Sequence, residues 1–478
     1  MILPAILDPF VEGAPAAVMT RLALDWIIDG TPLDRILQEV ADAQFEREFA
    51  LRHFVEVMLD VACGFRPTPR AAFVRRGLEQ VASISAFYRK LGRMELAVTE
   101  EIVRCTAARA RRLVRAGGGT LPEPIPGYPA LIIDGNVLSG TEHRIEPLRT
   151  TWSAGLPGMS LAIYEPATGV VTELILAEDA HTQERALFDR IPIEPGRTYI
   201  ADRNFCVRSL LSRITGAGAF FLIRWHRSTL PFRATSRLHR RGRCRSGAII
   251  EQTIEVTDAD GVVHPMRRIV LDLDEPTRDG ETRIVLITNL PAEVPAAACC
   301  AAYADRWEIE GHYQAMTDLL HCEIPSLGRP RAALFAFSMS AVAGNALAVL
   351  KGNLRVAHGE EIAEEVSDFA LVDEAAEDYP GMMKAVPPAA WPRAAVHGAE
   401  EVAAVLTEVA AQVPVHRMFR SRRGPKKPRP KRVRGDRVHH VSNKKLLDQA
   451  GGDRGRPCRN RSPAGSRVKV KKSACSQG

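Results

Sequence analysis

Four short apolar runs follow one another between positions 130 and 202: Ala130-Leu131-Ile132-Ile133-Asp134, Met159-Ser160-Leu161-Ala162-Ile163-Tyr164, Val170-Val171-Thr172-Glu173-Leu174-Ile175 and Thr198-Tyr199-Ile200-Ala201-Asp202. Their length and β-branched content mark them as strands, and Gly169 supplies the turn between the second and third. Helices are expected over 182–190 and 207–215, with a further strand at Phe220-Phe221-Leu222-Ile223-Arg224-Trp225. A three-strand meander followed by strand–helix alternation predicts the α/β class, a mixed sheet flanked by helices.

The first and last of these runs both end in aspartate. Taken singly, Asp134-Gly135 is ordinary turn chemistry and Asp202 an ordinary strand-end or cap residue. Taken together they gain meaning, because ligands in sheet-based α/β folds gather at strand ends. Two carboxylates on neighbouring strand ends repel unless a cation lies between them, and Mg²⁺ suits such oxygen ligands.

Around this core the chain divides by texture. Residues 1–120 read as helical, with Thr31 as a cap, Pro32 in the first turn and Asp34 near the positive end of the dipole. Arg104, Arg109, Arg111, Arg112 and Arg115 sit on the last helical stretch. They are either a charged surface face or part of a DNA-end recognition domain. Pro122, Pro124, Pro126 and Pro129 form a linker. Residues 129–224 are the first part of the core and 225–290 a β-rich insertion, with turns at Asp260-Gly261 and Asp279-Gly280. Residues 291–350 complete the core with a long helix after Pro295, expected to reach about Leu320, and a second, apolar helix. Residues 351–415 are acidic and helical, and 416–478 read as a disordered basic tail.

The net charge is +7, but residues 411–478 hold 21 Lys and Arg against 3 Asp and Glu, so the remainder is acidic. A basic arm on an acidic body suits a polyanion such as DNA, or is a solvated extension. Nine cysteines without zinc spacing read as reduced thiols of a cytosolic protein. No charge-free apolar run long enough to span a bilayer stands out. Trp225 is a candidate for stacking on an unpaired base or for packing within the insertion. The cluster from Arg237 to Arg245 is a candidate phosphate contact.

On the helix after Pro295, Tyr303, Arg306, Glu310 and Thr317 fall at offsets that share one helical stripe. Such a stripe faces either solvent or a polar site. A carboxylate projecting from it toward the strand ends would complete a three-oxygen metal site. Arg306 would meet a phosphate through its planar fork, and Tyr303 would donate to another. Glu308 lies on another face of that helix.

The segment Tyr303-Ala304-Asp305-Arg306-Trp307-Glu308-Ile309-Glu310, with the contexts Ile133-Asp134-Gly135, Ala201-Asp202-Arg203 and Thr288-Asn289-Leu290-Pro291, resembles the DDE transposases of the insertion sequence 4 family. That family's signature is Tyr-x2-Arg-x3-Glu-x6-Lys, and Thr317 stands here in place of the lysine. The resemblance covers about residues 129–350. It implies a ribonuclease-H-like core interrupted by a β-rich insertion and a helical N-terminal DNA-binding domain. It also implies a catalytic and metal-binding triad of Asp134, Asp202 and Glu310 holding Mg²⁺ (or Mn²⁺), with Tyr303 and Arg306 on DNA. The expected partners are double-stranded DNA, as terminal inverted repeats and target, and a second copy of the chain on paired ends. The expected setting is the bacterial cytoplasm, at the nucleoid. Two other readings use the same fold: a DNA-binding remnant without catalysis, and another ribonuclease-H-like metal endonuclease.

Overall fold

The computed structural model describes residues 3–42, 49–151, 155–258, 261–277, 280–306, 311, 318–421 and 440–453. Eleven of its strands are β1 (Ala130–Val137), β2 (Gly155–Leu156), β3 (Met159–Glu165), β4 (Val170–Ala177), β5 (Thr198–Ala201), β6 (Phe220–Arg224), β7 (Arg233–Ala234), β8 (His239–Cys244), β9 (Gly247–Thr257), β10 (Val263–Leu273) and β11 (Arg283–Thr288). All but β2 belong to one sheet, ordered β4-β3-β1-β5-β6-β11-β10-β9-β7, with β8 also paired to β9. The meander β4-β3-β1 is antiparallel, β1, β5 and β6 run parallel, and β11 returns antiparallel to β6. This is a ribonuclease-H-like mixed sheet flanked by helices, as the strand texture predicts.

The central strands are apolar on both sides because both faces are covered. In the β1–β5 register, Leu131 faces Tyr199 and Ile133 faces Ala201, while Ile132 faces Ile200 between them. The first set packs with Leu187 and Phe188 and with Leu210, Leu211 and Ile214 of the Arg208–Gly216 helix. Ile132 and Ile200 join the opposite and larger core. That core is organised by the Pro330–His358 helix, which packs against the Leu96–Ala116, Leu51–Ala62, Pro15–Leu24 and Ala399–Ala410 helices. This helix is long and apolar enough to cross a membrane, contrary to the sequence expectation that no such run exists. Its apolar character has a structural cause: 94% of its most hydrophobic window is buried inside the protein.

The segment read as a β-rich insertion does not form a separate sheet. Its strands β7 to β10 extend the core sheet, with β11 as the seam. Thr288 and Asn289 fasten that seam. Thr288 Oγ1 donates to Phe221 O at 2.5 Å. Asn289 Oδ1 accepts from Phe221 N at 2.8 Å, while its Nδ2 donates to Ala219 O at 3.0 Å and Thr215 Oγ1 at 3.2 Å. Gly261 and Gly280 take φ of +82° and +83° at the two expected turns. The aspartates before them lie outside the described residues.

Several local expectations are corrected. Thr31 does not cap the Leu33–Val40 helix; its hydroxyl donates backward to Ile27 O at 2.7 Å, completing the preceding helical turn. The expected helix over 182–190 is a 3₁₀ segment, Glu184–Arg190. The last helical stretch, expected as one run over about 71–115, is three helices, Pro69–Arg75, Ile84–Leu91 and Leu96–Ala116.

The basic extension is not unstructured throughout. Val441–Ser442 forms a twelfth strand, β12, parallel to β2, followed by a helix, Asn443–Asp453. Asn443 is fully buried and donates to Gly328 O at 2.8 Å and Thr141 Oγ1 at 3.2 Å, which anchors the segment. Residues 422–439 and 454–478, the rest of the expected tail, lie outside the described residues.

Candidate active site

Asp134 and Asp202 come together as the sheet pattern requires. The parallel β1–β5 register ends at Ile133 and Ala201, so the next residue on each strand is an aspartate. Alternation puts both on the sheet face of Ile132 and Ile200, and adjacent strands are only about 4.8 Å apart. Asp134 is not in a turn. It lies within β1 opposite Ala162 of β3, and the strand continues to Val137. Asp202 leaves β5 as the cap of a short 3₁₀ turn, its Oδ1 accepting from Asn204 N at 2.7 Å.

Tyr303 and Arg306 arrive from the Ala296–Asp305 helix and its C-terminal turn. Arg306 is buried, 7% exposed, with Nη1 3.8 Å from Asp134 Oδ1. Its guanidinium lies 5.7 Å from the Tyr303 ring centre. Burial pushes the Tyr303 phenol above its usual range, opposed by the cations Arg306 and Arg224, with Asp202 adding to the rise. The phenol therefore stays a hydrogen-bond donor at neutral pH. Glu310, Thr317 and Glu308, expected further along the same helix, lie outside the described residues.

A third carboxylate, unmarked by the sequence reading, borders the aspartates. Glu184 opens the 3₁₀ segment and its Oε1 lies directly over Gly135, in space that a Cβ there would occupy. Its Oε2 accepts from Asn204 Nδ2 at 3.3 Å. Burial raises the Glu184 carboxyl above the ordinary glutamate value, and the charge of Asp202 raises it further. Sequence holds one signal for it, the glycine after Asp134, which makes room for the carboxylate rather than for a turn.

Glu281, between β10 and β11, pairs with Arg224 at the end of β6 and with Arg203 Nη1 at 3.4 Å, beside Asp202. The hydrogen bond from Arg224 holds the Glu281 carboxyl below its usual range. The insertion is thus clamped to the rim of the aspartate pair.

Two other sequence candidates have structural employment. Trp225 packs on Phe232 with ring centres 5.5 Å apart and donates Nε1 to Leu230 O at 2.9 Å, so it is a packing aromatic. Of the basic cluster, Arg241 pairs with Glu251 at 2.6 Å and Arg243 with Asp274 at 2.7 Å. Arg240 lies exposed on β8. Four of the five arginines of the Leu96–Ala116 helix are likewise engaged, and Arg112 is exposed. Arg104 pairs with Glu173, and Arg111 and Arg115 converge with Arg197 on the fully buried Glu165. Arg109 donates to Trp26 O at 2.7 Å and lies 4.2 Å above the Trp26 ring.

Hard oxygen donors at a sheet end fit a divalent cation in kind. Among the described residues, no three His, Cys, Asp or Glu side chains are close enough together to hold one.

The fold is ribonuclease-H-like, with the two aspartates just past the end of the parallel β1–β5 pairing. Comparison with known proteins narrows it: the family described as "Transposase DDE domain" matches residues 125–343, which run from the linker into the Pro330–His358 helix. A protein of Sinorhizobium fredii named "Putative transposase y4zB" is 29% identical over 160 residues, covering 32% of this chain. The match spans 42% of that relative's length. Both likenesses support a DDE transposase, and neither separates the insertion sequence 4 family from others.

Proposed function

We propose that this chain is a DNA transposase of the insertion sequence 4 type, which hydrolyses a phosphodiester at the ends of its element and joins the freed 3′-hydroxyl to target DNA. The observation that carries the reading is that Asp134 and Asp202 each follow the last paired residue of the parallel β1–β5 register, with Arg306 3.8 Å from Asp134.

Asp134 and Asp202, with Glu310 as third ligand, are assigned to hold Mg²⁺ or Mn²⁺. The bound cation would activate the attacking oxygen and stabilise the leaving one. The chain's own groups do the rest. Arg306 presents a planar fork to a phosphate, and in the DNA-free protein its charge offsets that of Asp134. Tyr303, held protonated by burial, donates to a second phosphate oxygen. The Asn204 backbone N–H donates to Asp202 Oδ1 and fixes its orientation. The partners proposed are duplex DNA, as terminal inverted repeats and target, and a second copy of the chain on paired ends. The bacterial nucleoid is the proposed setting.

The test is cleavage of labelled element ends by the full chain with and without Mg²⁺. Asp134→Ala, Asp202→Ala and Glu310→Ala should each abolish nicking while end binding persists. Normal cleavage by any of the three would remove that residue from the site.

A further inference from the structure

Away from the aspartates, a groove of about 830 Å³ opens between the N-terminal helices and the core. Five arginines line it: Arg70, Arg89, Arg93, Arg144 and Arg329, with Tyr88 among them. They come from separate segments: the Pro69–Arg75 and Ile84–Leu91 helices, the turn after the latter, the loop beyond β1, and the start of the Pro330–His358 helix. All five are exposed. No aspartate or glutamate lines the groove. Arg144 pairs with Glu142 at 2.5 Å. Among the described residues, no ion pair engages Arg70, Arg89 or Arg329.

Converging guanidinium groups repel one another, and a fold gains nothing by collecting them without counter-charges. The Leu96–Ala116 helix shows the contrast, since three of its arginines are spent on Glu173 and Glu165. Arg70, Arg89 and Arg329 are exposed at the groove surface, with no ion pair among the described residues. Their partner should be a polyanion that supplies several phosphates at once, which planar guanidinium forks bind well. The lining has no Asn, Gln, Asp or Glu to add to base readout.

The loop that carries Arg144 continues β1, the strand of Asp134. The chain leaves β1 at Val137 and reaches Arg144 seven residues later. That connection is tied to the Arg329 segment, with Ser139 N donating to Glu323 Oε1 at 2.9 Å and Glu142 N to Pro325 O at 2.8 Å.

We infer that this groove holds the phosphate backbone of duplex DNA irrespective of sequence, so that it grips flanking or target DNA rather than recognising an element end. The inference rests on the transposase reading for its setting and names a DNA-holding surface that reading does not specify.

The test measures binding of the full chain to a labelled duplex of random sequence over a range of salt concentrations. Three proteins are compared: wild type, Arg70→Ala/Arg89→Ala/Arg329→Ala, and the same three positions changed to Lys. Each lost phosphate contact lowers the slope of log affinity against log salt by about 0.9, so the alanine variant should lose about 2.7. The loss should be equal across several unrelated duplexes, and the lysine variant should keep most of the slope. Thermal unfolding of each variant confirms that it folds. A wild-type slope in the alanine variant would overturn the inference, as would a loss confined to one sequence. Binding needs no cleavage, so the two readings fail separately: nicking with an unchanged slope removes the groove alone, and a lowered slope without nicking in any metal removes the transposase reading alone.

Discussion

The Glu184 carboxylate occupies the space where a side chain at position 135 would begin. Gly135 follows Asp134 within β1, and Glu184 reaches Asp202 through Asn204. One absent methyl group therefore lets a third carboxylate stand beside the two aspartates.

Gly135→Ala should push Glu184 away and disturb the site more than the fold. The displaced group is the end of a half-buried side chain, so the stability cost should fall in the range of about 1–3 kcal/mol typical of overpacking. Misplacement at a reacting centre costs far more, on the order of 100-fold in cleavage rate. A double-mutant cycle with Glu184→Ala checks the cause: the shorter side chain should restore most of the lost stability. Additive losses would mean that the two positions do not meet.

Glu184→Gln should stabilise the DNA-free protein near neutral pH. Burial and then Asp202 raise the Glu184 carboxyl in the folded state. The folded chain then holds this proton more tightly than the unfolded chain does. Stability from this group is lost as pH rises from the ordinary glutamate value through the raised folded one. The glutamine variant carries no such loss and can still accept from Asn204. Its advantage in chemical denaturation should shrink as pH is lowered through that window. A gap that instead widened toward acid would contradict the assigned direction.

Much of this arrangement was legible in the sequence, and the gaps have physical causes. The apolar runs identified the strands, and the two aspartates that follow such runs fall on neighbouring strands, just past the last pair of the β1–β5 register. Glu184 was not legible, since it sits in a polar stretch, His181-Thr182-Gln183-Glu184-Arg185, that has no periodicity to set it apart. The arginines of the Leu96–Ala116 helix read as an open basic face, yet the carboxylates that occupy them, Glu165 and Glu173, lie 50 or more residues away in sequence. Thr31 looked like a cap because capping and back-bonding use the same hydroxyl. The fusion of the insertion with the core sheet depends on β6–β11 pairing, which no local pattern encodes.

Asn289→Ala tests that seam. The side chain accepts from Phe221 N and donates to Ala219 O and Thr215 Oγ1. Removing it leaves the Phe221 amide without that acceptor, at a cost of about 1–3 kcal/mol. Urea unfolding should show a lower midpoint. If the seam alone loosens, protease cleavage should appear first between β6 and β11. An unchanged midpoint would show that the Thr288 bond to Phe221 suffices.

Glu165→Gln should be the most damaging single change outside the site. Glu165 is fully buried, with Arg111 Nη2 at 2.8 Å, Arg115 Nη2 at 2.9 Å, Arg197 Nη1 at 3.1 Å and the Thr168 hydroxyl at 2.7 Å. These join the Leu96–Ala116 helix to β3 and to the turn before β5. Burial opposes the charge, but Arg111, the Thr168 and Arg111 hydrogen bonds and Arg115 outweigh it, so the carboxyl is held below its usual value. Removing this anion leaves three guanidinium groups facing each other, with Glu194 still paired to Arg197 at 3.2 Å, and breaking such a buried network costs about 3–5 kcal/mol. The sign of the pH dependence follows from the lowered value. The carboxylate's contribution is complete above the ordinary glutamate value and is lost as pH falls through the depressed one. Wild type and variant should therefore differ most near neutral pH and converge in acid, as followed by denaturant unfolding at a series of pH values. A constant difference across that range would mean that packing, not charge, makes Glu165 indispensable.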